Sequence, residues 1–161
     1  MSDIVDRVTR SRMMSGIRGK NTRPEILLRH ALHRLGYRYR LHGKLPGKPD
    51  LVFPSRRAVI FVNGCFWHGH DCHLFKWPSS RPEFWRTKIS GNRQRDSRSS
   101  ATLHELGWRI LTVWECAVKG KRKWDEKILV TAVACWLDSA VEDTELRGHN
   151  HDDGRSDQVD E

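Results

Sequence analysis

Long apolar runs are missing from this chain of 161 residues. The strand-like run Ala58–Val62 is far short of the roughly 20 apolar residues that a membrane-spanning helix needs. The mean hydropathy of −0.68 agrees. A secretory signal is not legible either: the first turns of chain carry Arg7, Arg10, Arg12, Arg18 and Lys20 without an apolar core. Neither a membrane protein nor a secreted one is expected. Cysteine is scarce, with four residues, and in a reducing compartment metal or thiol roles for them outrank disulfides. Acidic residues are scarce where it matters: residues 1–141 hold 12 against 27 Lys and Arg, and the other eight acids fall from Glu142 onward. A surplus of +15 suits a polyanion such as a phosphate backbone, although a basic surface can also be simply well solvated.

The length fits one domain. Residues 1–20 have no apolar period and read as a basic arm, 21–141 as the folded domain, and 142–161 as an acidic, disordered tail. Thr22-Arg23-Pro24-Glu25 is a capping box, in which the threonine hydroxyl accepts from the Glu25 amide while the glutamate reaches back to the cap. Ile26, Leu27, Ala31, Leu32 and Leu35 then share a helical face that ends at Gly36. Tyr37–Leu41 alternates like a strand. Leu51–Phe53 and Ala58–Val62 are close enough to form an antiparallel hairpin, which sets Asp50 near Val62. A second capping box, Ser80-Arg81-Pro82-Glu83, opens a long polar helix running to about Leu106. Trp108–Trp114 is a third strand. Lys123–Val141 is a last helix burying Ile128, Leu129, Ala132, Val133 and Trp136, with Cys135 as a small core residue. Helices should therefore flank a mixed central sheet, in an α/β fold.

The segment 63–73 is too dense in Cys, His and aromatics for an ordinary loop. Cys65, His68, His70, Cys72 and His73 lie within nine residues, and Cys116 follows the third strand. Four such ligands make a closed tetrahedral zinc set. Six candidates are too many for one ion. A set of Cys65, His70, Cys72 and Cys116 would free His68 to take a proton from water, but spacing alone does not choose.

At this point a family resemblance is legible. Thr9-Arg10-Ser11-Arg12-Met13-Met14, Leu45-Pro46-Gly47-Lys48-Pro49-Asp50, Asn63-Gly64-Cys65-Phe66-Trp67-His68-Gly69-His70-Asp71-Cys72 and Phe84-Trp85-Arg86-Thr87-Lys88-Ile89 resemble the very-short-patch-repair mismatch endonucleases. The match continues through Arg95-Asp96 to Trp114-Glu115-Cys116 and covers about residues 8–138. It implies a restriction-endonuclease-like core of the PD-(D/E)xK type with a structural zinc loop. It also implies nicking of double-stranded DNA 5′ to the thymine of a T:G mismatch left by deaminated 5-methylcytosine. Carried over, Asp50 and the Val62 carbonyl hold catalytic Mg²⁺, Glu25 holds metal-bound water, and His68 is the general base. Cys65, His70, Cys72 and Cys116 hold structural Zn²⁺. Phe66, Trp67, Trp85 and, from the arm, Met14 intercalate beside the mismatch, where flat side chains sense altered stacking. Trp108, Trp114, Trp124 and Trp136 are read as core.

Two departures stand out. Asn63 occupies a position where relatives carry a histidine; it can hydrogen-bond a phosphate or bound water but cannot carry a proton. No Glu-x-Lys follows the second strand. The implied partners are DNA, a cytosine-5 DNA methyltransferase whose sites the mismatches mark, and mismatch-repair proteins, for a monomer in a bacterial cytoplasm. Two other readings compete: a restriction-type nuclease needing no mismatch, and a non-catalytic zinc-stabilised DNA-binding module. The first gives no reason for intercalating wedges, and the second gives none for Asp50, His68 and Glu25 together.

Overall fold

The computed structural model describes residues 21–149; the arm 1–20, with Met14, and residues 150–161 lie outside the described residues. The chain runs α1 (Arg23–Arg34), β1 (Arg40–Leu41), β2 (Leu51–Phe53), β3 (Ala58–Asn63), α2 (Pro82–Glu105), β4 (Arg109–Trp114), α3 (Glu115–Val118), α4 (Glu126–Asp138) and β5 (Thr144–Leu146). The five strands form one mixed sheet in the order β1-β2-β3-β4-β5. β1–β2 and β2–β3 pair antiparallel, whereas β3–β4 and β4–β5 pair parallel. The expected hairpin is present, with Leu51 opposite Ile60 and Phe53 opposite Ala58. Parallel strands cannot be joined by a tight turn, so the 65–81 loop and α2 make the crossover from β3 to β4.

Strand alternation decides which helix covers which face. Leu51, Phe53, Ala58, Ile60, Leu111 and Val113 pack with Leu28 and Leu32 of α1 and Val133 and Trp136 of α4. The intervening residues Val52, Val59 and Ile110 meet Leu103 of α2. Helices thus cover both faces, which is why these strands are apolar along their length rather than alternating with polar residues.

At the start of α1, the Thr22 side chain accepts from the Glu25 amide as expected. The other half of the box differs: the Glu25 carboxylate accepts from the Asn21 amide instead of reaching Thr22. Four further expectations are corrected. α2 is capped by Arg81 in the left-handed region, one residue after the expected Ser80 cap, with Pro82 supplying the first helical position. β1 keeps only Arg40–Leu41 of the expected Tyr37–Leu41, because Tyr39 turns its hydroxyl to the Arg29 carbonyl at 2.6 Å and Tyr37 bonds Asp138 at 2.8 Å. α4 begins at Glu126, where Asp125 accepts from Ile128 N, and its core stripe is Leu129, Val130, Val133, Trp136 and Leu137. That stripe leaves Ile128 60% exposed and Cys135 exposed, since neither lies on its helical face. Part of the segment from Glu142, read as disordered, is ordered: Thr144–Leu146 adds the parallel edge strand β5. Among the described residues no helix is long and apolar enough to cross a membrane.

Candidate active site and metal centre

Four distant pieces of sequence converge at one end of the β2–β3 hairpin. Asp50 immediately precedes β2, and its Oδ2 accepts from Val62 N at 2.7 Å. Glu25 comes from the first turn of α1 and is 1% exposed. Its Oε2 accepts from Arg29 at 2.8 Å, and His42 Nε2 lies 3.1 and 3.3 Å from its two oxygens. Donor atoms of Glu25, His42 and Asp50 all fall within 4.8 Å of one another. Burial pushes the Asp50 carboxyl up to about 7; the Val62 amide opposes that shift, and the neighbouring Glu25 adds to it. Two carboxylates this close repel, so the arrangement favours either a retained proton or a cation between them. Two oxygen donors and an imidazole are a chemically suitable set for a divalent ion.

Asp50 opens onto a cleft of about 780 Å³, also lined by Lys48, Val62, Asn63, Phe66, Trp67, His68, Lys88, Asn92, Asp96 and Lys119. The cleft brings Asp50, His68 and Asn63 together with three lysines, Lys48, Lys88 and Lys119. His68 is held from α2: its Nδ1 lies 2.5 Å from Asp96 Oδ2. That contact fixes one ring nitrogen and leaves Nε2 as the other functional atom. The loop under it is clamped by the same helix, since Asn92 donates to the Trp67 carbonyl at 2.7 Å and Arg93 to the carbonyls of His68 and Gly69. Gly69 has φ +58°, and a Cβ there would sit 2.6 Å from Ile89 Cγ2, so the sharp turn against α2 admits only glycine.

A second cluster lies behind that loop. Donor atoms of Cys65, His70, Cys72 and Cys116 all lie within 4.8 Å of one another. His70 Nδ1 is 3.5 Å from Cys65 Sγ and 3.6 Å from Cys116 Sγ. Tetrahedral ligands at zinc bond lengths are separated by about 3.5 Å, so the spacing suits that ion. Burial raises the Cys65 thiol and, with Arg147 nearby, lowers His70 to about 4. A metal requires the imidazole neutral, as it is here, and the thiols deprotonated. The Cys116 amide donates to Cys65 Sγ at 3.3 Å and the Gly148 amide to Cys116 Sγ at 3.2 Å, bonds that favour thiolates. Trp114 stacks on His70 at 3.9 Å and 6°, so it serves the cluster wall as well as the sheet. His73 stays outside the four-ligand set.

Phe66 and Trp67 line the cleft, whereas Trp85 is 8% exposed and packs behind them, with ring centroids 5.3 and 6.0 Å away. Two members of these constellations were not singled out as site residues from the sequence. Asp96 reads as one position in a helical repeat, and His42 sits in a Gly- and Pro-rich loop. The signal for His42 was positional: the β1–β2 register, Leu41 opposite Leu51, continued by one step sets it across from Asp50.

The relatives define the class first: they are DNA-cutting enzymes. A family model described as DNA mismatch endonuclease Vsr matches residues 2–74. The Escherichia coli protein named DNA mismatch endonuclease Vsr is 44% identical over 85% of this chain and 88% of its own. A type II nicking enzyme of Xanthomonas oryzae, V.XorIIP, is 53% identical over 72% of this chain and 86% of its own. One of Neisseria meningitidis, V.NmeAIP, is 41% identical over 75% and 87%. This chain belongs to the Vsr family of DNA mismatch endonucleases.

Proposed function

We infer that this endonuclease nicks one strand of duplex DNA 5′ to the thymine of a T:G mismatch, the first cut in replacing a deaminated 5-methylcytosine. The observation that carries the reading is one cleft holding Asp50, the His68–Asp96 pair and the Phe66–Trp67 edge. An acid for a cation, an oriented base and a stacking wedge are the three parts that mismatch-directed hydrolysis needs. The sheet order and the two-faced helical cover are compatible with a restriction-endonuclease-like core.

Asp50 and the Val62 carbonyl would hold Mg²⁺, with Glu25 beside the same ion or its bound water, and the ion would offset charge on the phosphate and lower the pKa of that water. Asp96 keeps the His68 Nδ1 proton in place, so Nε2 accepts the proton of the attacking water. Lys48, Lys88 and Lys119 hold the backbone, and Asn63 orients a phosphate oxygen or water by hydrogen bonding alone. Phe66 and Trp67 enter beside the wobble pair; Trp85 backs them, and Met14 approaches from the arm. The four-ligand cluster holds structural Zn²⁺ that fixes the loop carrying His68. A single active site suits a monomer acting on an asymmetric lesion. The flanking sequence preferred should match the sites of a cytosine-5 DNA methyltransferase, with mismatch-repair proteins acting nearby at the bacterial nucleoid.

Strand-specific nicking on labelled duplexes, each context offered as T:G and as T:A with Mg²⁺ or EDTA, tests this. The expected result is a Mg²⁺-dependent cut in the thymine strand of T:G duplexes alone. Equal cutting of T:A would favour a restriction-type enzyme, and tight T:G binding with no cut in any context a binding module.

A further inference from the structure

His42 is the residue of this centre that neither the motifs nor the cleft lining accounts for. Its backbone continues the β1–β2 ladder: His42 N donates to the Asp50 carbonyl at 3.0 Å, one step past the Leu41–Leu51 pair. Directly opposed residues on antiparallel strands place their side chains on one face, with Cβ atoms about 5 Å apart. The ring therefore reaches the same space as the Asp50 carboxylate. Its Nε2 approaches both Glu25 oxygens, at 3.1 and 3.3 Å, and completes the three-donor group with Asp50. His42 also has φ +49°, a left-handed conformation that is strained for an L residue and recurs at functional sites. Cis ligands of an octahedral ion at about 2.1 Å stand about 3.0 Å apart, close to the His42–Glu25 separations.

The geometry points to His42 as a nitrogen ligand of the active-site cation, which makes the centre prefer a first-row transition ion such as Mn²⁺ over Mg²⁺. An all-oxygen set of carboxylates and waters suits Mg²⁺, which holds its hydration tightly. Adding an imidazole moves the donor set toward ions that bind nitrogen well. Asp50 Oδ2 is already engaged by the Val62 amide, and Arg29 holds Glu25 Oε2, so a nitrogen donor supplements carboxylates that are partly committed elsewhere. This inference rests on the placing of the cation at Asp50 and Glu25, but not on the nature of the DNA substrate.

The test is pulsed electron paramagnetic resonance on the zinc-loaded full chain with one equivalent of Mn²⁺ and no DNA. A ¹⁴N modulation is expected, replaced by the ¹⁵N pattern in protein carrying ¹⁵N-histidine, which needs no variant. H42Q should remove the modulation and weaken Mn²⁺ binding on the order of tenfold, with Mg²⁺ affinity changed little. D50A should remove the ordered Mn²⁺ signal, separating this centre from His70 in the zinc-type cluster. Bound Mn²⁺ without nitrogen coupling, or coupling that survives H42Q in a folded, zinc-replete variant, overturns the assignment. A coupled Mn²⁺ centre with no T:G-specific nicking would sink the functional reading and leave this one standing; T:G nicking with no coupling does the reverse.

Discussion

The two clusters on either side of the 65–72 loop are built by opposite rules. Cys65, His70 and Cys72 come from eight residues of one loop, closed by Cys116 of α3 just past β4, and three of the four are buried. Glu25, His42 and Asp50 come from a helix start and two strand ends, and Asp50 faces an open cleft. A thiolate-rich, enclosed set has no position left for a reactant, so it suits a structural ion. A carboxylate set with an open side can share its ion with water and phosphate. The two are nevertheless coupled by the chain, since Val62 and Asn63 lie within three residues of Cys65. An ion holding the loop from behind would fix where His68 stands in front.

The sharpest way to break this contrast is Asp50→Ala. Nicking should fall on the order of 10⁴-fold, about 5 kcal/mol of barrier, while T:G binding and zinc content stay intact. Equal loss of binding and cutting would make Asp50 a structural residue. His68→Ala should cost on the order of 10³-fold, and Asp96→Asn less, with a displaced pH–rate profile in both. A normal rate in His68→Ala would remove it as the base. Cys116→Ser acts from the other side: zinc content should drop and stability fall by about 3 kcal/mol, read by metal analysis and denaturant titration. A zinc-replete, fully stable variant would overturn the closed set. The smallest effect is expected from Gly148→Ala. The added Cβ would lie 2.6 Å from the Cys116 carbonyl and displace the amide that bonds Cys116 Sγ. Stability should drop by roughly 1–2 kcal/mol and zinc should leave faster in a chelator assay, with nicking by the loaded protein little changed.

What could be read from sequence follows how local each cause is. The Thr22 cap, the β2–β3 hairpin and the apolar strands depend on neighbours a few residues apart, and the residues themselves declare them. The dense Cys/His loop also announced a metal-type cluster, although choosing four ligands from six needed the resemblance and then the fold. Arg81 displaced the Ser80 cap because Pro82 already supplies an acceptable helix start, and a capping box is a preference rather than a constraint. Ile128 and Cys135 were misplaced by helical phase: the stripe facing the sheet passes through Leu129, Val133 and Trp136 and leaves both outside it. His42, Asp96 and β5 were illegible for a different reason. Each acquires its meaning from a partner far along the chain or across a strand pair: Asp50, His68 and β4 respectively.

The segment that follows α4 sets an order of events for the newborn protein. β5 lies along β4, the Trp124 indole donates to the Arg147 carbonyl, His149 stacks on Trp124, and the Gly148 amide meets Cys116 Sγ. All four ligands leave the ribosome before these residues do. Until the latch forms, Cys116 is reachable by a passing ion from that side; once it forms, the Gly148 amide and the strand beside β4 stand over it. An ion is therefore best taken up before the segment past α4 docks, and a zinc shortage at that stage would leave the loop to set without its anchor.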